Sequence, residues 1–322
     1  MKKMFLLLFI LVMVGTLAIF SQEVVNLRKL SVSKIPIKED VIFKKIRGIE
    51  TDNNDRLYLL NSSYGNILVI DIPTGKLVAT ISSRGQGPYE LGEPNAFKIK
   101  QNKIYVIDGV YKGVKIFNTE GGFIRSFKVN QLSSYSRRID VDDFGNIYVP
   151  CLNYQDKKTI LILDEFGKTK KTIIYNSFMG NKYSEEMFKN LVFDFSVDHN
   201  SNLILVYPLH RKIIKYNNDG ILIWENNIPV ENIPRGWKKE ISVSENGSVS
   251  LSPLIGKMCL NDEGEVIVST IDRLIRFKEN GEIKGNIFGL NMAYEISWGR
   301  DRFISADPSD YVLEIFKYKE EK

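Results

Sequence analysis

Three tyrosines, a histidine, an arginine and an aspartate recur at one offset in this chain of 322 residues. Tyr64, Tyr111, Tyr154, His210, Arg273 and Asp310 each stand three residues past the closing residue of a strand. A phenol offers an apolar face beside a hydroxyl, which suits recognition of sugars and peptides. The imidazole, guanidinium and carboxylate add charge to such a floor. The same offset equally suits polar side chains that bond a neighbouring loop and hold structure only. Arg84, Arg138 and Arg211 add basic groups in comparable segments, where solvated loop charge is the plain reading.

The groups that nucleophilic or metal catalysis needs are sparse. The chain has two histidines, His199 and His210, so a three-histidine zinc site cannot be built. An H-E-x-x-H pair and a G-x-S-x-G elbow are absent, and RGQG at Arg84–Gly87 lacks the Lys-Ser/Thr of a phosphate loop. Cys151 and Cys259 are the two cysteines, and they fall in different repeats. They read as free, largely buried thiols. Turns rich in Asp and Asn leave room for a Ca²⁺ site. An Asp side chain also bonds the backbone two residues on, and closing turns is its simpler use here.

The elements that must carry these residues come in six copies: Ile49–Asn61, Phe97–Asp108, Ile139–Cys151, Phe195–Tyr207, Met258–Thr270 and Ile296–Asp307. Each reads as an apolar residue, a polar turn, an apolar strand and a closing residue. Asp52, Asp142 and Asp198 occupy matching turn positions, and Gly145 and Gly264 supply the positive φ of a tight hairpin. A second hairpin follows each of the first five copies, with its glycine at 75, 121 or 122, 167, 220 and 281. Four antiparallel strands in about fifty residues is the period of a propeller blade. The last copy ends after a third strand, Tyr311–Tyr318, while Val24–Ser33 alternates as a strand with no partner nearby. Joining the two predicts an all-β fold: a single six-bladed β-propeller of four-stranded antiparallel blades over 22–322, closed by an N-terminal strand in the last blade. Two insertions interrupt the pattern. Asn176–Asn190 reads as a short helix, and Pro229–Gly256, with Trp237, as a lid or partner-docking loop.

One stretch carries a family resemblance. RGQGPYELGEP, Arg84–Pro94, resembles the G-x-G-P-x-E-[FL] linker of the NHL-repeat propellers, and the blade after it resembles their strand–Asp–loop–strand consensus. The nearest overall likeness is to exported bacterial six-bladed propellers of the NHL or TolB-like type. It implies chemistry on the loops at the channel ends, and gluconolactonase-like members imply a channel Ca²⁺. Many such proteins carry a lipid-modified Cys after the signal, and this chain has none near that junction.

Met1–Ser21 supports export. Lys2 and Lys3 precede an uncharged apolar run, Met4–Phe20, which reads as a signal peptide cleaved before Gln22 or as an uncleaved anchor. The location implied is periplasmic, cell-surface or extracellular. Without the two lysines, 42 basic residues face 39 acidic ones, too weak and dispersed an excess for nucleic acid. Three readings follow. The first is a non-catalytic module that docks a protein, peptide or glycan of the cell envelope without a cofactor. The second is a Ca²⁺-dependent lactonase- or lyase-like enzyme. The third is a sensor domain that meets the membrane through a retained N-terminal helix.

Overall fold

The structure is a computed structural model. It describes residues 23–25, 30–35, 42, 44–130, 132, 138–151, 158–174, 189, 192–231, 233, 240–243, 249–251, 254–288, 295–299, 302–307 and 312–318. Six sheets of four or more strands follow one another along the chain, and within each the strands consecutive in sequence pair antiparallel. Blade 1 is Ile46–Thr51, Arg56–Asn61, Asn66–Asp71 and Leu77–Ile81, and blade 2 is Pro94–Lys100, Lys103–Asp108, Gly113–Asn118 and Phe123–Lys128. Blades 3, 4 and 5 begin at Asp140–Val141, Asp194–Val197 and Ile255–Leu260. The first strands of all six touch in a closed cycle that runs from blade 6, Glu295–Gly299, back to blade 1. The ring is therefore complete.

Closure uses the N-terminal segment, with one correction. Val24–Ser33 is two strands, not one. Leu30–Lys34 pairs antiparallel with Val312–Tyr318, from Leu30↔Tyr318 to Lys34↔Glu314, and supplies the missing strand of blade 6. Glu23–Val25 instead runs parallel to Ile283–Phe288 as a fifth strand of blade 5. The break follows from the sheets: one straight strand cannot lie on two blades, and each edge it covers would otherwise present unpaired backbone groups.

The cores lie between blades. Tyr58, Leu60, Ile67 and Val69 of blade 1 pack on Phe97, Ile104, Val106 and Phe117 of blade 2. Ile304 of blade 6 joins Leu57, Leu59, Leu68 and Ile70 of blade 1. Each such side chain contributes roughly 1.5–3 kcal/mol by leaving water, so neighbouring blades stabilise one another.

The acidic turn residues act as turn acceptors. Asp142 Oδ1 accepts from Phe144 N at 3.0 Å and Asn146 N at 2.8 Å, and Asp198 Oδ1 from Asn200 N at 2.9 Å and Asn202 N at 2.8 Å. In the blade 2 outer turn the positive φ falls on Gly121, at +94°. The Arg84–Pro94 linker is fastened by a buried ion pair. Lys115 Nζ lies 3.5 Å from Asp108 Oδ2, both side chains 1% exposed, and donates to Gly87 O at 2.9 Å and to Glu90 O. Asp108 accepts from Gly92 N and Glu93 N, each at 3.0 Å. Cys151 and Cys259 are buried and are not joined in a disulfide. Inside the Pro229–Gly256 insertion, Ile241–Val243 and Val249–Leu251 form a small hairpin. Tyr154, Asp310, Trp237, the apolar N-terminal run and all but one residue of the Asn176–Asn190 segment lie outside the described residues.

Candidate functional site

The second residue of each repeat copy reaches the axis of the ring. These residues are Glu50, Lys98, Asp140, Ser196, Cys259 and Ser297, one per blade. Their registers match: they pair with Tyr58, Tyr105, Tyr148, Ile204, Ile267 and Ile304 on the second strands. Together they line a cavity of about 410 Å³ in the central channel. The cavity is also lined by first-hairpin turn residues, including Asn53, Asn54, Gln101, Asn102, His199 and Asp262, so its mouth lies on that end of the ring.

Charge in the channel is arranged unequally. Lys98 Nζ lies 3.3 Å from Glu50 Oε1 and 3.7 Å from Asp140 Oδ1. Asp140 is well satisfied: its Oδ2 accepts from Ser196 Oγ at 2.6 Å and Val197 N at 2.9 Å, and its Oδ1 from Val141 N at 2.8 Å. Burial opposes its charge, yet Lys98, Arg138 and those hydrogen bonds outweigh burial and hold its pKa below the usual carboxylate value. In Glu50 burial wins, and its pKa is raised despite Lys98 and Arg138. For Lys98, burial is outweighed by Asp140 and Glu50, so its pKa is raised and it stays charged.

Arg138 ties three blades from the channel side. Its Nε donates to Phe195 O at 2.9 Å and its NH2 to Met258 O at 3.3 Å, and it pairs with Asp194 Oδ1 at 3.5 Å. Asp194 Oδ2 accepts from Met258 N at 3.0 Å. Burial pushes the Cys259 thiol up to about 12, which makes it a poor nucleophile. At the mouth, Lys100 Nζ and His199 Nδ1 converge on Asp143, at 2.6 and 2.9 Å. Their hydrogen bonds, that of Lys100 first, hold the Asp143 carboxyl below its usual value. Among the described residues no three His, Cys, Asp or Glu side chains gather as a metal-holding group. A second hollow, of about 510 Å³, lies beside the Arg84–Pro94 linker, lined by residues such as Pro88, Tyr89 and Phe117.

Comparison with known proteins agrees with this architecture. Residues 27–191, just over half of the chain, match the DUF5128 family, described as a 6-bladed beta-propeller. The chain belongs to that family. No curated protein sequence matches it. Among solved structures, a candidate exported protein of Bacteroides fragilis is similar at 15% identity and TM-score 0.56, over 91% of this chain and 96% of that one. A Bacteroides vulgatus member of the DUF4221 family gives 11% and 0.59, over 90% and 98%. Virginiamycin B lyase from Staphylococcus aureus gives 11% and 0.55, over 89% and 99%. At these identities the likeness is one of fold.

Of the residues singled out from the sequence of this DUF5128 propeller, Arg138, a basic loop residue, lines the channel. Tyr64, Tyr111, His210, Arg273, Arg84 and Arg211 do not line that cavity. Tyr64 is half-exposed, and Arg84 NH1 donates to Ser63 O beside it at 2.8 Å. The Tyr111 ring lies under Lys128 Nζ at 3.8 Å and Lys115 Nζ at 5.0 Å, both of its own blade. His210 meets Tyr207 edge to face at 6.0 Å. Two carboxylates of the long insertion engage the arginines: Arg273 NH1 pairs with Glu231 at 3.0 Å, and Arg211 Nε with Glu240 at 3.1 Å. The channel ring itself escaped the spacing argument, although its signal is present. It is the residue after the first apolar one in all six copies, and no two neighbouring blades carry the same type there.

Proposed function

We propose that this chain is an exported binding propeller that docks a protein, peptide or glycan at the mouth of its central channel, without catalysing a reaction. The carrying observation is the ring of Glu50, Lys98, Asp140, Ser196, Cys259 and Ser297 around an open cavity of about 410 Å³. That volume falls in the range of small-molecule sites, roughly 300–1,000 Å³, and would equally admit a protruding side chain. Export rests on the apolar run behind Lys2 and Lys3, and a structural neighbour described as a candidate exported protein is consistent with it.

A thermal-shift panel of glycans, peptides and lactones tests this reading, with a channel-filling Ser297→Trp variant and a loop variant, Tyr64→Phe with Tyr111→Phe. A ligand at 100 times its Kd raises stability by about 2.7 kcal/mol. The expected outcome is a shift abolished by Ser297→Trp and kept by the loop variant. Binding lost only in the loop variant would place the site on the tyrosine-bearing loops and overturn the reading.

A second reading, a lyase- or lactonase-like enzyme, draws on one observation. Asp143 holds His199 by Nδ1 at the cavity mouth, which leaves Nε2 for proton transfer. One structural neighbour is a lyase. Turnover of a lactone or of virginiamycin B lost in His199→Ala would establish it, and stabilisation by added Ca²⁺ would argue for the metal-dependent form.

A further inference from the structure

We infer that the channel ligand presents an alkylammonium group to Glu50. The inference rests on the reading of the channel as the binding site and adds the chemistry of what enters it.

The argument is which charged groups in the channel are already engaged. Asp140 takes three hydrogen bonds, from Ser196, Val197 and Val141, besides its attraction to Lys98. Asp194 takes Phe195 N at 3.0 Å and Met258 N at 3.0 Å and pairs with Arg138. Arg138 is held by that carboxylate and by two backbone carbonyls from different blades. Lys98 is shared between two carboxylates. Both cations are therefore occupied by the protein's own acceptors, and an incoming carboxylate or phosphate would have to displace them. Glu50 differs. Among the described residues Lys98 is its hydrogen-bonding partner, at 3.3 Å through Oε1, and Glu50 borders the cavity. The cavity lining carries five carboxylates, Glu50, Asp52, Asp140, Asp198 and Asp262, against three cations, Lys98, Lys100 and Arg138. The lining is thus acidic on balance, and of Glu50, Asp140 and Asp194 it is Glu50 that has the fewest donors and the least compensated carboxylate.

The remaining ring members, Ser196, Cys259 and Ser297, are neutral and add no competing charge. At the mouth, Lys100 and His199 both engage Asp143, and Asp262 lines the entrance. A cation entering there passes acidic and amide side chains before it reaches Glu50. A half-buried carboxylate short of donors gains most from a ligand that brings several N–H groups and a positive charge together. An alkylammonium does this with three donors at the tip of a thin stem, whether it belongs to a free amine or to a lysine of a partner.

Calorimetric titration of the purified protein tests it. The probes are 1,5-diaminopentane, 1,5-pentanediol and glutarate. A blocked Gly-Gly-Lys-Gly peptide and its norleucine analogue separate a partner's lysine from a free amine. The diamine or the lysine peptide is expected to bind, with the diol, glutarate and norleucine peptide at least about tenfold weaker, the scale of one charge-assisted hydrogen bond. Glu50→Gln should weaken the amine by about the same factor. The diol binding as well as the diamine, or amine binding indifferent to Glu50→Gln, would overturn the inference. If Glu50→Gln does not fold, the competition between diamine and diol on the unaltered protein decides alone. Ser297→Trp separates the two levels of failure. A neutral or anionic ligand that loses its binding in Ser297→Trp, while amines never bind, leaves the channel site standing and removes the cation. Binding that ignores Ser297→Trp removes both.

Discussion

Asp142 and Asp164 sit in equivalent-looking turns of blade 3, and their alanine variants should differ several-fold in cost. Asp164 Oδ1 accepts from Phe166 N and Lys168 N, each at 2.9 Å, in an exposed turn. Water can replace it, so Asp164→Ala should cost about 1 kcal/mol, one net hydrogen bond. Asp142 closes its turn in the same way but is 1% exposed. Its Oδ2 also accepts from Asn146 Nδ2 at 2.7 Å, Tyr148 OH at 3.2 Å and Ser201 Oγ at 2.9 Å, the last from blade 4. Asp142→Ala leaves two buried hydroxyls and a carboxamide without their acceptor. At roughly 1–3 kcal/mol per orphaned group, reduced by relaxation, the loss should be about 3–5 kcal/mol. Urea unfolding followed by fluorescence and circular dichroism gives both values where the two probes coincide. Ser201→Ala, alone and combined with Asp142→Ala, isolates the tie between blades, expected at about 1 kcal/mol of coupling. Equal losses for Asp142→Ala and Asp164→Ala, or no coupling to Ser201, would refute the view that the first-hairpin acids hold blades together as well as turns.

Three further outcomes follow from buried groups. Lys115→Met should destabilise by about 3–5 kcal/mol, because it leaves Asp108 without its cation and Gly87 O and Glu90 O without a donor; the urea midpoint reads it. Burial alone would raise the Glu265 pKa, but hydrogen bonds from Lys284 at 2.5 Å and Arg276 at 2.7 Å hold it below the unfolded value of 4.5. Its stabilisation is thus present above pH 4.5 and lost as pH falls through the lower folded value, so melting temperature should drop less steeply below pH 4.5 in Glu265→Gln than in the parent. Iodoacetamide at pH 8 should label neither buried cysteine in the native protein and both in guanidinium, with Cys259 further protected by a thiol pKa of about 12.

The blades were legible because their information is local. Alternation makes the strands, Asp142 and Asp198 close the turns, and the short last repeat asks for a strand that Leu30–Lys34 supplies. The second edge contact, Glu23–Val25 on blade 5, was not legible, since three residues of parallel pairing leave no pattern. The loop offset that aligns Tyr64, Tyr111, His210 and Arg273 reports equal chain position, but not equal side-chain direction. Tyr111 is taken up by Lys115 and Lys128 of its own blade, and Arg273 and Arg211 are engaged by Glu231 and Glu240 of the insertion. Those partners lie 42 and 29 residues away from their arginines, beyond what spacing alone can join. Arg138 could be named as a basic loop residue, but its reach to Phe195 and Met258, in two other blades, is a property of the closed ring.

The propeller also separates scaffold from site by a test internal to one chain. Its six copies place the second residue at the same cross-strand register, so the backbone asks the same thing of each. Where packing decides, the copies answer alike: the residue before it is Ile49, Phe97, Ile139, Phe195, Met258 or Ile296, each buried and apolar. One step along, the same backbone carries a carboxylate, an ammonium, a second carboxylate, a hydroxyl, a thiol and a second hydroxyl. Blade packing cannot require six side chains of four chemical kinds at one repeated position. Something without the ring's symmetry can, and an off-centre ligand in the channel is such a thing. On this argument, serine at both Glu50 and Lys98 should remove binding and leave the apolar faces between blades as they are, at the cost of the ion pairs by which Lys98 of blade 2 joins Glu50 of blade 1 and Asp140 of blade 3.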